Sequence, residues 1–188
     1  MEENYLESIQ KQFEYYQLLG NKTFLQLTDE QLFWQAGKES NSIAIIVNHL
    51  HGNMMSRWIN FLTSDGEKEW RKRDAEFEKS ITSRKELLQK WNEGWQCLFD
   101  ALSTINKENF STEIYIRNMG HTIIEAINRQ LAHYSYHIGQ IVFIGQIQKG
   151  KTWKSLSIAK GDSTKYNKDK FSQPKRKEHF TQESLDKK

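Results

Sequence analysis

His133 and His137 sit four residues apart in "RQLAHYSYHIGQI", residues 129–141, of a chain that has only six histidines in 188 residues. On a helix turning about 100° per residue they lie only about 40° apart, one turn above the other. Two imidazoles so placed can converge on a single cation. A tight site needs a third donor from elsewhere, and three neutral imidazoles suit borderline divalent ions such as Zn²⁺ or Ni²⁺. The same spacing also describes a polar stripe facing water, and H-x-x-x-H alone does not separate the two.

His49 and His51, in "NHLHGNMMSRW", are the obvious third donors. Being two apart on a helix, they point about 160° away from each other, so only one can face a given site. Helical projection does not choose between them. His51 is nearer the Leu50–Met54–Trp58 stripe, whereas His49 shares a side with Ile46 and Asn53. His121 precedes a helix start and reads as a capping or loop residue, and His179 reads as solvent-exposed. Cys97 is the one cysteine, which excludes an intrachain disulfide and a Cys-rich zinc site. Its neighbours Trp95, Leu98 and Phe99 make it a packed thiol. No phosphate-binding Gly-rich loop, G-x-S-x-G elbow or H-E-x-x-H motif occurs.

The elements that must position these histidines are helices. One proline and ten glycines leave few breakers, which favours long helices over many short strands. Apolar residues at helical spacing predict a first helix over 4–26, a second over 43–62 capped by Asn41 or Ser42, and a third from Ser83 to about Leu102. Ser83 with Glu86 has the capping-box pattern. The fourth runs from Thr122 to Lys149 and stops at Gly150. Its apolar stripe is Ile124, Ile127, Leu131, Tyr134, Ile138, Val142 and Gly145, which leaves His133 and His137 on roughly the opposite side. Thr28 caps a short turn, "EIYIR" alternates like a short extended piece, and "TSDGEKEWRKRDAEFEK" reads as a long polar connection. The fold class is all-α: a four-helix bundle with long inter-helix connections, occupying residues 1–160. Residues 161–188 form a basic tail, irregular or loosely docked.

The charge balance narrows the function. The net charge is +3, but residues 165–188 hold eight Lys/Arg against four Asp/Glu. The body is therefore slightly acidic, which argues against nucleic-acid binding as the main task. No apolar run approaches the roughly 20 residues needed to span a bilayer, and the N-terminus lacks the pattern of a signal peptide. The expectation is a cytoplasmic protein with no membrane partner. The fourth helix carries apolar residues beyond one stripe, which predicts a homodimer.

"NSIAIIVNHLHGNM" at 41–54 and "GHTIIEAINRQLAHYSYHIGQI" at 120–141 resemble the second-helix and closing-helix motifs of the DinB-like, YfiT-type superfamily, and most closely its DUF1572 branch. The resemblance covers roughly residues 4–150. It implies a four-helix bundle holding a divalent metal through His49, His133 and His137. The lineage includes thiol-dependent S-transferases, so it also implies a small-molecule substrate, in particular a low-molecular-weight thiol conjugate, and a transferase or hydrolase reaction. Other relatives have no known reaction, which leaves a non-catalytic, stress-related dimeric bundle that binds a metal or ligand as the alternative. Three protein ligands leave open positions, where a thiol or a water would be acidified. Gly52 stands where the better-understood branch commonly carries an acidic residue, so no carboxylate lies beside His49 in the motif itself.

Overall fold

The computed structural model describes residues 2–187; Met1 and Lys188, the outermost residues of the expected domain and tail, lie outside the described residues. Helices account for 60% of the chain, against a norm of about a third, and one two-stranded sheet accompanies them. The protein is all-α.

Helix α1 spans Glu2–Phe24, with Glu2 and Glu3 in its first turn and Lys22 in its last, the polarity a helix dipole favours. The short α2, Asp29–Phe33, starts in a full capping box between Thr28 and Gln31. Helix α3, Ile43–Trp58, is capped by the Ser42 hydroxyl, which accepts from Ile45 N. Thirteen of its sixteen residues are buried, so it is the central helix of the fold. It stops four residues short of expectation. Asn60 takes a left-handed conformation (φ 52°) and its carbonyl accepts from Thr63 N and Ser64 N, turning the chain away. The polar connection that follows contains one 3₁₀ turn, Asp74–Phe77.

Helix α4 spans Arg84–Ser103 and its Ser83 cap accepts from Glu86 N. The Glu86 carboxylate reaches back to Thr82 N rather than to the cap residue. Strands β1, Ile114–Ile116, and β2, Met119–His121, pair antiparallel with Ile116 opposite Met119. Arg117 and Asn118 both have positive φ, the geometry that tight hairpins use. Helix α5, Ile123–Lys149, opens on a Thr122–Glu125 capping box and closes at Gly150, whose φ of +51° a side chain would strain. Among the described residues, no helix is long and apolar enough to cross a membrane.

The tail holds α6, Ser163–Phe171, and α7, Gln182–Leu185. Thr181 and Leu185 are buried. His179, expected in solvent, is half-buried, with Nε2 3.0 Å from Ser8 Oγ of α1.

Helices α1, α3, α4 and α5 share one core, and each gives it an aromatic side chain. The Phe13 ring lies 6.3 Å from Trp58, 6.4 Å from Trp95 and 6.0 Å from Tyr134. Tyr134 OH donates to Asn53 Oδ1 (3.0 Å) and accepts from Trp58 Nε1 (2.9 Å), so two polar bonds inside the core join α5 to α3. The buried face of α5 is rotated roughly 60° from the expected stripe. Ile123, Ile127 and Ile141 are fully buried while Ile124 is 40% exposed. The helix packs against α1 on one side and α3 on the other, so its inward face is wider than one stripe. His137 consequently falls inside that face instead of opposite it, and His133 falls at its edge.

Candidate metal centre

The rotation of α5 brings His133 and His137 against α3 at His49. His133 Nε2 is 3.2 Å from His49 Nε2 and 3.1 Å from His137 Nε2, and the three ligand atoms lie within 4.8 Å of one another. Nitrogens held about 2.1 Å from an ion at tetrahedral or octahedral angles stand roughly 3.0–3.4 Å apart, so the spacing fits a single cation. His49 is 4% and His137 8% exposed; His133 is the least buried. This is the one cluster of its kind among the described residues.

The tautomers favour a cation as well. His49 Nδ1 lies 2.9 Å from Glu76 Oε2, and an ionised carboxylate only accepts, so His49 carries its proton on Nδ1 and turns a lone pair inward from Nε2. His137 Nδ1 likewise faces Gln140 Oε1 at 2.8 Å. Two inward lone pairs then meet a third imidazole that can offer at most one proton between them. A cation at the common focus resolves that conflict. Burial, and then the neighbouring His137 and His49, push the His133 imidazole down to about 3. Burial lowers His137 too, against the Gln140 hydrogen bond. Both rings are therefore neutral, as ligands must be, at neutral pH.

His51 takes no part. Its Nε2 is 3.2 Å from Glu93 Oε2 of α4, a contact without hydrogen-bond alignment, and burial lowers the ring below the ordinary histidine value. His121 sits in β2, where Nδ1 contacts Met119 O and Nε2 accepts from Arg129. Tyr134 belongs to the core, Tyr136 leans edge-on to His137 at 5.0 Å, and Arg57 bonds to Glu67 rather than to any of the three histidines. Burial raises the Cys97 thiol to about 11, consistent with a packed, unreactive group. It lines a cavity of about 920 Å³ between the end of α3 and α4, which includes none of the three histidines.

Sequence reasoning missed Glu76. It lies in the connection read as featureless polar chain, yet it is 7% exposed and bonds to His49. Arg71 grips it bidentately, Nε to Oε1 at 2.7 Å and Nη2 to Oε2 at 2.9 Å. Burial alone would raise the carboxyl; the hydrogen bonds from His49 and Arg71 outweigh it and hold it below the ordinary carboxylate value. The signal that could have found it is the lone Phe77 beside it, whose ring stacks on His49 at 4.6 Å.

A family model described as "Protein of unknown function (DUF1572)" matches residues 1–162. The chain belongs to the DUF1572 family. All three converging histidines lie inside the matched span, whereas α6 and α7 lie beyond it. Among curated proteins and solved structures, nothing matches this DUF1572 chain.

Proposed function

We propose that His49, His133 and His137 bind one divalent cation, Zn²⁺ or Ni²⁺, in a DinB-like four-helix bundle made by α1, α3, α4 and α5 over residues 1–160, with 161–188 as an appended tail. The observation that carries this is the convergence of three imidazole nitrogens, two of them turned inward by bonds to Glu76 and Gln140. The protein is then a metal-dependent enzyme acting on a small thiol conjugate, as an S-transferase or hydrolase. The ion would supply a Lewis-acidic position that lowers the pKa of a thiol or water. The chain's own residues hold that position: α5 orients two imidazoles, Glu76 fixes the third, and Phe77 covers one face of His49. Four protein nitrogens would close a tetrahedral site, and three leave it open.

The alternative is a non-catalytic metal- or ligand-binding bundle with a stress-related role. It is favoured by the one buried carboxylate at the site, Glu76, being committed to both His49 and Arg71, which leaves it no proton to transfer. A homodimer is part of either reading. Tyr136, Phe143 and Ile147 stand 63%, 62% and 49% exposed on α5, in a stretch with no charged residue from Gln130 to Gln148. The work is cytoplasmic, on a small molecule, with no nucleic-acid or membrane partner.

The test is turnover of a low-molecular-weight thiol with an alkylating electrophile by metal-loaded protein. Reaction that needs the metal and disappears in His133→Ala supports the enzyme. Full metal loading without turnover across thiols supports the alternative.

A further inference from the structure

Gly52 and Glu76 meet where α3 passes under the polar connection, residues 59–83. A Cβ on Gly52 would stand 2.6 Å from Glu76 Cδ and closer still to Oε1. The atoms in the way are the far end of a flexible side chain, so the carboxylate, not the backbone, gives way. A cleft of about 290 Å³ beside Gly52, Arg71 and Glu76 leaves room for it to swing out. Any side chain at position 52 therefore competes with Glu76 for the space next to His49.

The connection that carries Glu76 is held by polar bonds more than by apolar burial. Only Phe61 and Ile81 near its ends are buried apolar residues, and Trp70 is 56% exposed. At one end Gly66 N donates to Tyr115 O (2.8 Å), Ser56 Oγ donates to Gly66 O (2.7 Å), and Glu67 accepts from Arg57 (3.0 Å). At the other, Asn48 Nδ2 donates to Glu76 O (2.9 Å) and Phe77 stacks on His49. Arg71 ties the two ends together through Glu67 (3.3 Å) and Glu76. Segments with few apolar contacts and local turn bonds open at low free energy.

We propose that Gly52 and Glu76 act as a matched pair through which this connection becomes part of the metal centre: Glu76 is a positioning residue for His49, and occupancy of the histidine trio orders the connection. The inference rests on the metal reading above. An ion that fixes His49 Nε2 also fixes the Nδ1–H that Glu76 accepts, so binding and ordering are linked and each strengthens the other.

The experiment joins Zn²⁺ titration with hydrogen exchange on the full chain, chelator-stripped and Zn²⁺-loaded. Zn²⁺ is expected to slow exchange of amides in 69–79 by tenfold or more and to leave α4 unchanged. Glu76→Gln and Gly52→Ala are each expected to weaken Zn²⁺ binding about 10- to 100-fold, the usual cost of losing such a partner. The double variant should be no weaker than either alone, because both changes remove one contact. Gly37→Ala, where a Cβ meets nothing within 4 Å, should bind as the wild type does. Exchange in α4 reports whether each variant is folded. Wild-type binding with indifferent variants, additive losses in the double variant, or an unresponsive connection overturns the inference alone. A wild type that binds no Zn²⁺ overturns the metal reading and this inference with it.

Discussion

Helix α5 and the 59–83 connection both serve the histidine trio, but they are built on different physics. Helix α5 is capped at both ends, packs nine of its residues into the interior and bonds through Tyr134 to Asn53 and Trp58 of α3. The connection has one 3₁₀ turn, little apolar burial and a chain of ion pairs from Arg57 to Glu67 to Arg71 to Glu76. One presents two imidazoles on a rigid rod; the other delivers a single carboxylate on a strap. The rod sets the geometry of the donors, and the strap tunes the one donor that α3 supplies.

Removing a donor should have the largest effect. His49→Ala, His133→Ala and His137→Ala are each expected to abolish retention of Zn²⁺ or Ni²⁺ through dialysis against a weak chelator, measured as metal per chain. Next comes the core under the rod. Trp95, fully buried against Phe13 and Tyr134, should cost about 3–5 kcal/mol on replacement by Ala, read from denaturant unfolding. Tyr134→Phe is subtler. It strands Asn53 and Trp58 Nε1 inside the protein and should cost about 1–3 kcal/mol. If α5 is steered by that hydroxyl, metal affinity falls with it; unchanged affinity would mean that apolar packing alone sets the rotation.

A pH series on stripped protein separates rod from strap. The His133 ring falls to about 3 in the folded protein, against roughly 6.5 unfolded. The unfolded chain therefore binds the proton more readily, and stability that is complete above pH 6.5 is lost progressively as pH falls toward 3. Glu76, held below the ordinary carboxylate value, adds its loss only below about pH 4.3. His133→Gln should flatten the upper part of the melting-temperature profile, and Glu76→Gln the lower part. The smallest effect belongs to His51→Ala, which should keep its metal because that ring faces Glu93 on α4.

The same contrast explains what was legible in the sequence. Helical periodicity carried the four long helices, and Ser42, Ser83 and Thr122 marked three of their starts because capping is local chemistry. Helix α3 ends four residues before its apolar periodicity does, since nothing in "WINFLTSDG" announces that Asn60 turns left-handed. The buried face of α5 departs from the periodic stripe because hydrophobicity records which residues prefer burial, while the orientation also answers to packing against both α1 and α3 and to the Tyr134 bonds. His133 and His137 were legible as a pair, whereas geometry alone left His49 and His51 open. Glu76 was invisible. It lies 27 residues from His49 in a segment without period, and the space for it comes from the missing side chain of Gly52.

X-ray absorption at the zinc edge of protein reloaded with one equivalent of Zn²⁺ tests the central claim most directly. Three imidazole nitrogens at about 2.0–2.1 Å, with the remaining positions filled by light solvent atoms and no sulfur, is the predicted first coordination sphere. His51→Ala should reproduce the spectrum. A sphere with one imidazole or none, a sulfur contribution from Cys97, or a spectrum that changes in His51→Ala but not in His49→Ala would contradict it.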